Sequence, residues 1–214
     1  MDEIVVQAMA KWPNVPAAYG WLRLDRRGGW RLIDRNTPGF DEAAHGAGTR
    51  IEHAAFADTI CRNYQADDQG RWYFQNGPQR VFVDLELAPL VLRAFDARRR
   101  APLQPGSPAD PAPAVAAAPA PAADEPSAPA LVAHTGYPVA RATEGLVDTH
   151  GNVFVDTDLG PGVIHDADLA ALPIEPLDGT DDTLRLRLAT GDVLLRRTTQ
   201  DAARVLRFER RPRS

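Results

Sequence analysis

Residues 20–33 read GWLRLDRRGGWRLI, and residues 145–155 read GLVDTHGNVFV. In the first, two short alternating runs flank Asp25-Arg26-Arg27-Gly28-Gly29, the pattern of a hairpin whose glycines adopt positive φ at the turn. In the second, the same kind of run flanks Asp148-Thr149-His150-Gly151-Asn152. Asp25 and Gly28 match Asp148 and Gly151 at one spacing. Each hairpin is followed by a helical pattern and then by another hairpin. The fold class this implies is α+β. The expected arrangement is two small units of antiparallel hairpins, one helix each, joined by an Ala/Pro-rich linker and read as an internal duplication, with a chance likeness of two small α+β units as the alternative.

In the first unit, residues 34–48 are rich in Gly, Asp, Asn and Pro and read as a loop. Thr49-Arg50-Ile51-Glu52 has the form of a capping box, in which hydroxyl and carboxylate satisfy each other's backbone amides. A helix is predicted from Thr49 to Gln65, with Phe56, Ile60 and Tyr64 as a buried stripe and Ile51, Ala57 and Cys61 beside it. The next hairpin is RWYFQ, a turn at Asn76-Gly77, and RVFVDLEL. Val81, Val83, Leu85 and Leu87 face one side, and Arg80, Phe82, Asp84 and Glu86 the other. LVLRAF adds a strand. In the second unit, IHDADLAAL reads as a short helix. LRLRL and VLLRR pair across Thr190-Gly191-Asp192, and ARVLRF follows. Counted from Gly77 and from Gly191, Val91-Leu92-Arg93 and Val205-Leu206-Arg207 are equidistant, which extends the repeat.

Between the units, twenty-one of the thirty residues 101–130 are Ala or Pro. Such a stretch cannot bury enough apolar surface to offset the entropy of ordering it. The predicted organisation is an N-terminal domain 1–98, a disordered linker 99–132 and a C-terminal domain 133–214. PLQP and PSAP within the linker have the spacing of polyproline ligands, and a plain tether is the simpler reading.

DRRGGWRLI, a helix ending ICRNY, and GRWYFQNGPQRVFVDLELAP together resemble a proteobacterial domain-of-unknown-function family, the one numbered twelve-eighty-five. LRLRLATGDVLLRRTTQDAARVLRF is similar to the C-terminal part of its members. The likeness covers most of residues 20–95 and 184–208 and omits the linker. It implies a two-part α/β protein with a role in signalling or ligand binding. It supplies no catalytic residues.

Composition narrows the function classes. The chain has 214 residues, a net charge of −5 and a single cysteine, Cys61. A disulfide framework and a multi-cysteine zinc site are excluded, and the acidic balance argues against nucleic acid. The N-terminus MDEIVVQAMAKW lacks the basic start of a signal peptide, and no apolar run spans a membrane, so a cytoplasmic location is expected. No cofactor fingerprint is present. Trp30, Arg31, Arg71 and Tyr73 combine guanidinium groups and aromatic rings on two hairpins and form the candidate ligand-binding set. Cross-strand pairing of the same side chains is the competing reading. His150 with Asp148, Asp156 and Asp158 is the strongest metal-like cluster, although turn chemistry explains Asp148 and His150 equally well. Cys61, on the buried side of the helix, reads as a small apolar residue rather than a nucleophile.

Three functions fit. The first is a non-enzymatic module binding a small molecule or protein, with a regulatory role. The second is an enzyme with a metal-assisted site near His150. The third is an assembly protein using exposed sheet edges. Limited proteolysis of the native protein is expected to cut first within residues 101–130. First cleavage elsewhere would contradict the linker assignment.

Overall fold

The computed structural model describes residues 1–95, 128–177 and 180–213. The linker, apart from its last residues, lies outside the described residues. Two sheets and a few short helices make up the rest.

The first sheet is built from β1 (Ala18–Leu24), β2 (Trp30–Leu32), β3 (Thr49–Arg50), β4 (Tyr64–Ala66), β5 (Trp72–Asn76) and β6 (Gln79–Leu85), in the order β3-β2-β1-β6-β5-β4. Before it runs α1 (Glu3–Lys11), and within it lie α2 (Glu42–His45) and α3 (Ala54–Arg62). The second sheet contains β9 (Ala142–Val147), β10 (Val153–Thr157), β11 (Gly160–Ile164), β12 (Ile174–Leu177), β13 (Thr180–Leu188) and β14 (Gly191–Arg197). Its order is β12-β13-β14-β9-β10-β11, with two further strands, β7 (Leu90–Phe95) and β8 (Ala130–Ala133), beyond β11.

The two six-strand arrangements have one topology. In each, a hairpin leads to a third edge strand and a helical turn. Three more strands follow, and the last lies parallel to the first: β6 beside β1, β14 beside β9. The helical turn is α3 in the first sheet and a 3-10 helix, Asp166–Ala171, in the second.

The turns explain the hairpins. Asp25 Oδ1 accepts the N–H groups of Arg27 and Gly29, and Gly28 N donates to the Asp25 carbonyl. Asp148 does the same with His150, Asn152 and Gly151. Asp67 forms a third copy with Gln69, Arg71 and Gly70. Each turn needs a glycine at positive φ, which Gly28 (83°), Gly151 (79°) and Gly70 (74°) supply without a Cβ penalty.

Three expectations change. Thr49 does not cap a helix: Thr49 and Arg50 pair with Leu32 and Arg31 as strand β3. Helix α3 therefore starts later, and His53 Nδ1 accepts Phe56 N–H as its cap. Tyr64 moves out of the helix into β4. Second, the boundary at residue 98 does not separate the sheets. Strand β7 lies in the second sheet, parallel to β11, and Ala130 to Val132, assigned to the linker, pair with it as part of β8. Third, the stretch matched to β7 by spacing is not a strand. Residues Ala202–Val205 form a helix, α4, capped by Asp201.

The C-terminal tail makes the reverse crossing. Leu85 N donates to the Arg210 carbonyl at 2.7 Å, and Glu209 N to the Gly70 carbonyl at 3.0 Å. Arg213 Nη1 binds Asp84 Oδ1 at 2.9 Å. Each sheet is thus completed by a segment that follows the other. One contiguous core joins Leu22, Trp30, Trp72 and Val83 of the first sheet to Phe154, Val155, Leu186 and Leu195 of the second.

A Cβ on Gly70 would lie 2.2 Å from the Arg207 carbonyl oxygen, and the φ of 74° would be strained as well. Gly70→Ala should cost about 2–3 kcal/mol from these two effects, read as a lower urea midpoint. An unchanged midpoint would mean that the tail does not dock there.

Candidate functional site

Helix α3 has nine residues and does not cover the whole inner face of the first sheet. Ile60 is fully buried, but Phe56, one turn earlier, is 43% exposed. What remains open is a cleft of about 410 Å³ lined by Ala18, Trp21 and Leu22 of β1, Leu32 of β2, Phe56 of α3, and residues of β5 and β6. Phe56 and Phe74 meet edge to face, 6.2 Å between ring centres. Asn76 and Gln79 bring amide groups to one end, and Gln79 Nε2 donates to the Pro16 carbonyl at 3.0 Å. Among the described residues no charged side chain lines the cleft. It is a shallow, half-open cleft with mainly aromatic and aliphatic walls.

The four residues chosen from the sequence do not converge. Trp30 is buried, donates Nε1–H to Cys61 Sγ at 3.3 Å, and meets Tyr64 edge to face at 5.0 Å. Tyr73 is buried on the opposite face of the sheet, beside Phe82, and its hydroxyl accepts from Gln65 Nε2 at 2.7 Å. Arg71 lies over the Phe82 ring and binds Asp67, so it shares a neighbour with Tyr73 alone. Arg31 is spent on Asp25, 2.9 Å away. The reason is local: Asp25 and Asp67, which build two of the turns, each also capture an arginine that follows, Arg31 and Arg71. Burial works against ionisation of Asp25, but the Gly29 amide, Arg31 and the Arg27 amide outweigh it and hold the carboxyl below its usual range.

The metal-like cluster is likewise split. Asp148 and His150 sit in the β9–β10 turn, with Asp148 filled by backbone donors and Asn152 Nδ2. Asp156 and Asp158 lie at the far end of β10, about 10–15 Å along the strand at ~3.3 Å per residue. Among the described residues no three His, Cys, Asp or Glu side chains are placed to hold a metal ion.

Two half-buried polar groups lie outside the candidate sets, Cys61 and His134. The Cys61 thiol is pushed up by burial, against a weaker pull from the Trp30 hydrogen bond. His134 is half-buried and packs against Trp30 and Tyr64, with Nδ1 accepting Val91 N–H at 3.2 Å. Its Nε2 is buried and has no hydrogen-bond partner among the described residues. The sequence offered no signal for the cleft either. Trp21, Leu32, Phe74 and Val81 are ordinary strand positions, and only the shortness of α3 leaves them open.

The fold and cleft define an α+β protein of two similarly connected sheets with an open apolar cleft on one of them. The model of family DUF2944, described as "Protein of unknown function (DUF2946)", matches residues 1–120, and the chain belongs to that family. A solved structure of a DUF1285 family protein from Silicibacter pomeroyi DSS-3 is similar at 12% identity and a TM-score of 0.44, over 92% of this chain and 96% of that one. DUF1285 is the family that residues 20–95 and 184–208 resemble. Among curated proteins none matches.

Burial lowers the His134 pKa from 6.5 to about 4. The unfolded chain then binds the extra proton at higher pH than the folded one. Stability from neutral His134 is complete above about pH 6.5 and falls as pH drops toward 4, by about 3 kcal/mol. Urea titrations should show this slope in the native protein and a flatter one in His134→Leu. Equal slopes would contradict a buried neutral histidine. Cys61 should react with a thiol reagent at neutral pH only slowly, on the time scale of local opening; immediate labelling would overturn its packed, protonated state.

Proposed function

We propose that the protein is a cytoplasmic, non-enzymatic binding module that holds a small, uncharged, largely apolar molecule in the cleft of the first sheet. The carrying observation is that cleft: three aromatic rings, Trp21, Phe56 and Phe74, with no charge on its lining and two amides at one end. Apolar rings supply affinity through burial, at roughly 25 cal/mol per Å², and the amides orient a neutral polar group. A lone, half-buried thiol suits a reducing compartment. No helix among the described residues is long and apolar enough to cross a membrane.

The common strand order of the two sheets, with an aspartate turn joining the first two strands of each at Asp25 and Asp148, supports descent from one duplicated unit. On that reading one copy retained the open cleft, and the other provides the partner sheet. Binding in the first sheet is then coupled to regulation through the segments the two exchange.

Nile red, a neutral apolar dye, provides the test. It should bind the native protein saturably at one site, with emission shifted to the blue. Phe56→Asp, at a position already partly exposed, should weaken binding by tenfold or more, about 1.4 kcal/mol, without changing the urea midpoint greatly. Absence of saturable binding, or binding indifferent to Phe56→Asp, would refute the cleft as the site.

A further inference from the structure

We propose that the ligand of the first-sheet cleft carries a neutral carboxamide as its polar group, bound by Asn76 and Gln79. The inference rests on the cleft being the binding site and names the class of molecule it takes. Three lining side chains have hydrogen-bonding groups, Trp21, Asn76 and Gln79. The last two sit together. Phe74 and Asn76 are two residues apart on β5, and Gln79 and Val81 two apart on β6, so alternation puts all four on the cleft face. Asn76 lies directly opposite Gln79, the last pair before the Gly77-Pro78 turn. Side chains in such a pair leave the backbone about 5 Å apart at Cβ, so one ligand group can meet both amides.

The two amides are not equivalent. Gln79 Nε2 donates to the Pro16 carbonyl at 3.0 Å. Only the NH2 end of an amide can donate to a carbonyl, so this bond fixes the orientation of the group and leaves Oε1 as an acceptor without a partner among the described residues. The Asn76 side chain is exposed and makes no hydrogen bond among the described residues, so it can turn either end toward a ligand. The indole N–H of the half-buried Trp21 is also unpaired there. The cleft thus offers donors from Asn76 and Trp21 beside a fixed acceptor on Gln79.

That inventory sorts polar groups by what each leaves unmatched. A carboxylate brings acceptors alone, meets the lone pairs of Gln79 Oε1, and finds no cation in the described lining. An ammonium gives up its hydration with no carboxylate there to replace it. A ketone accepts from Asn76 and leaves Gln79 Oε1 without a donor. A hydroxyl has one oxygen with which to span two strands. A carboxamide carries a donor and an acceptor on separate atoms of one rigid plane. Its N–H goes to Gln79 Oε1, and its carbonyl accepts from Asn76 Nδ2. The apolar body of the molecule then lies along Trp21, Phe56 and Phe74.

The test is displacement of Nile red from the full chain by naphthalenes that differ in one group. 2-Naphthamide should displace the dye at a concentration about fivefold or more below those needed for 2-acetylnaphthalene, 2-naphthol and 2-naphthoate, the margin that one net hydrogen bond supplies. In Asn76→Ala the margin over 2-acetylnaphthalene should shrink to about twofold or less, since the amide side chain that completes the pairing is gone. Each margin is a ratio within one protein, so a general loss of dye affinity does not imitate the effect, and the ligand series on the unaltered chain decides the matter even if the variant fails to fold. Nile red that does not bind saturably refutes the cleft as the site, and the carboxamide assignment falls with it. Saturable dye binding without an advantage for 2-naphthamide, or with an advantage that Asn76→Ala retains, leaves the cleft as an apolar site and overturns the carboxamide assignment alone.

Discussion

The pairing of β7 with β11 holds the rest of the structure in place. Leu90, Val91 and Leu92 run parallel to Gly162, Val163 and Ile164, so the segment that leaves the first sheet becomes part of the second. Gly162 makes the approach possible, since a Cβ there would meet the Leu92 side chain at 2.7 Å. Val91 also donates its N–H to His134, which packs against Trp30 of the first sheet. With the tail crossing back to Leu85 and Gly70, neither sheet has its complete set of backbone partners without the other. A small α+β unit buries too little surface to be robust alone, and the exchange gives both one shared core.

Charge in this protein is mostly consumed by architecture. Arg31 and Arg71 return to the aspartates of their own turns. Arg27 of one turn reaches Asp166 beside the 3-10 helix of the other unit, and Arg26 reaches Asn152 of the matching turn. Arg93 and the Ala94 amide bind the buried Asp168. The exposed pairs contribute little each. The Arg93–Asp168 pair is sensitive to loss of Arg93, because the Asp168 carboxylate would be left buried without its cation.

The two faces of the first sheet have different roles as a result. The face carrying Phe82 and Asp84 is closed by Tyr19, by Arg71 and by the C-terminal Arg213. The face carrying Leu22, Phe74 and Val81 is closed by α3 and the second sheet over part of its width and is open at the cleft. The site thus arises from a mismatch of lengths, a two-and-a-half-turn helix on a six-stranded sheet, and not from a constellation of reactive groups.

The turns at Asp25 and Asp148 were legible in the sequence because every bond that defines them lies within five residues, and a glycine at the fourth position is a local demand. The hairpins, the α+β class and the repeated order follow from that. What is non-local was not legible. The Thr49–Glu52 pattern suits a helix cap, yet Thr49 and Arg50 find strand partners in Leu32 and Arg31, and sheet pairing wins over a marginal first turn. LVLRAF and ARVLRF look alike, yet the first has β11 and β8 on either side and becomes a strand, while the second has no adjacent strand and coils behind Asp201. Trp30 and Tyr73 read as partners on two hairpins, but only the register decides that they point to opposite faces. The cleft itself was decided by tertiary structure alone, because whether a helix covers a sheet depends on where both come to lie.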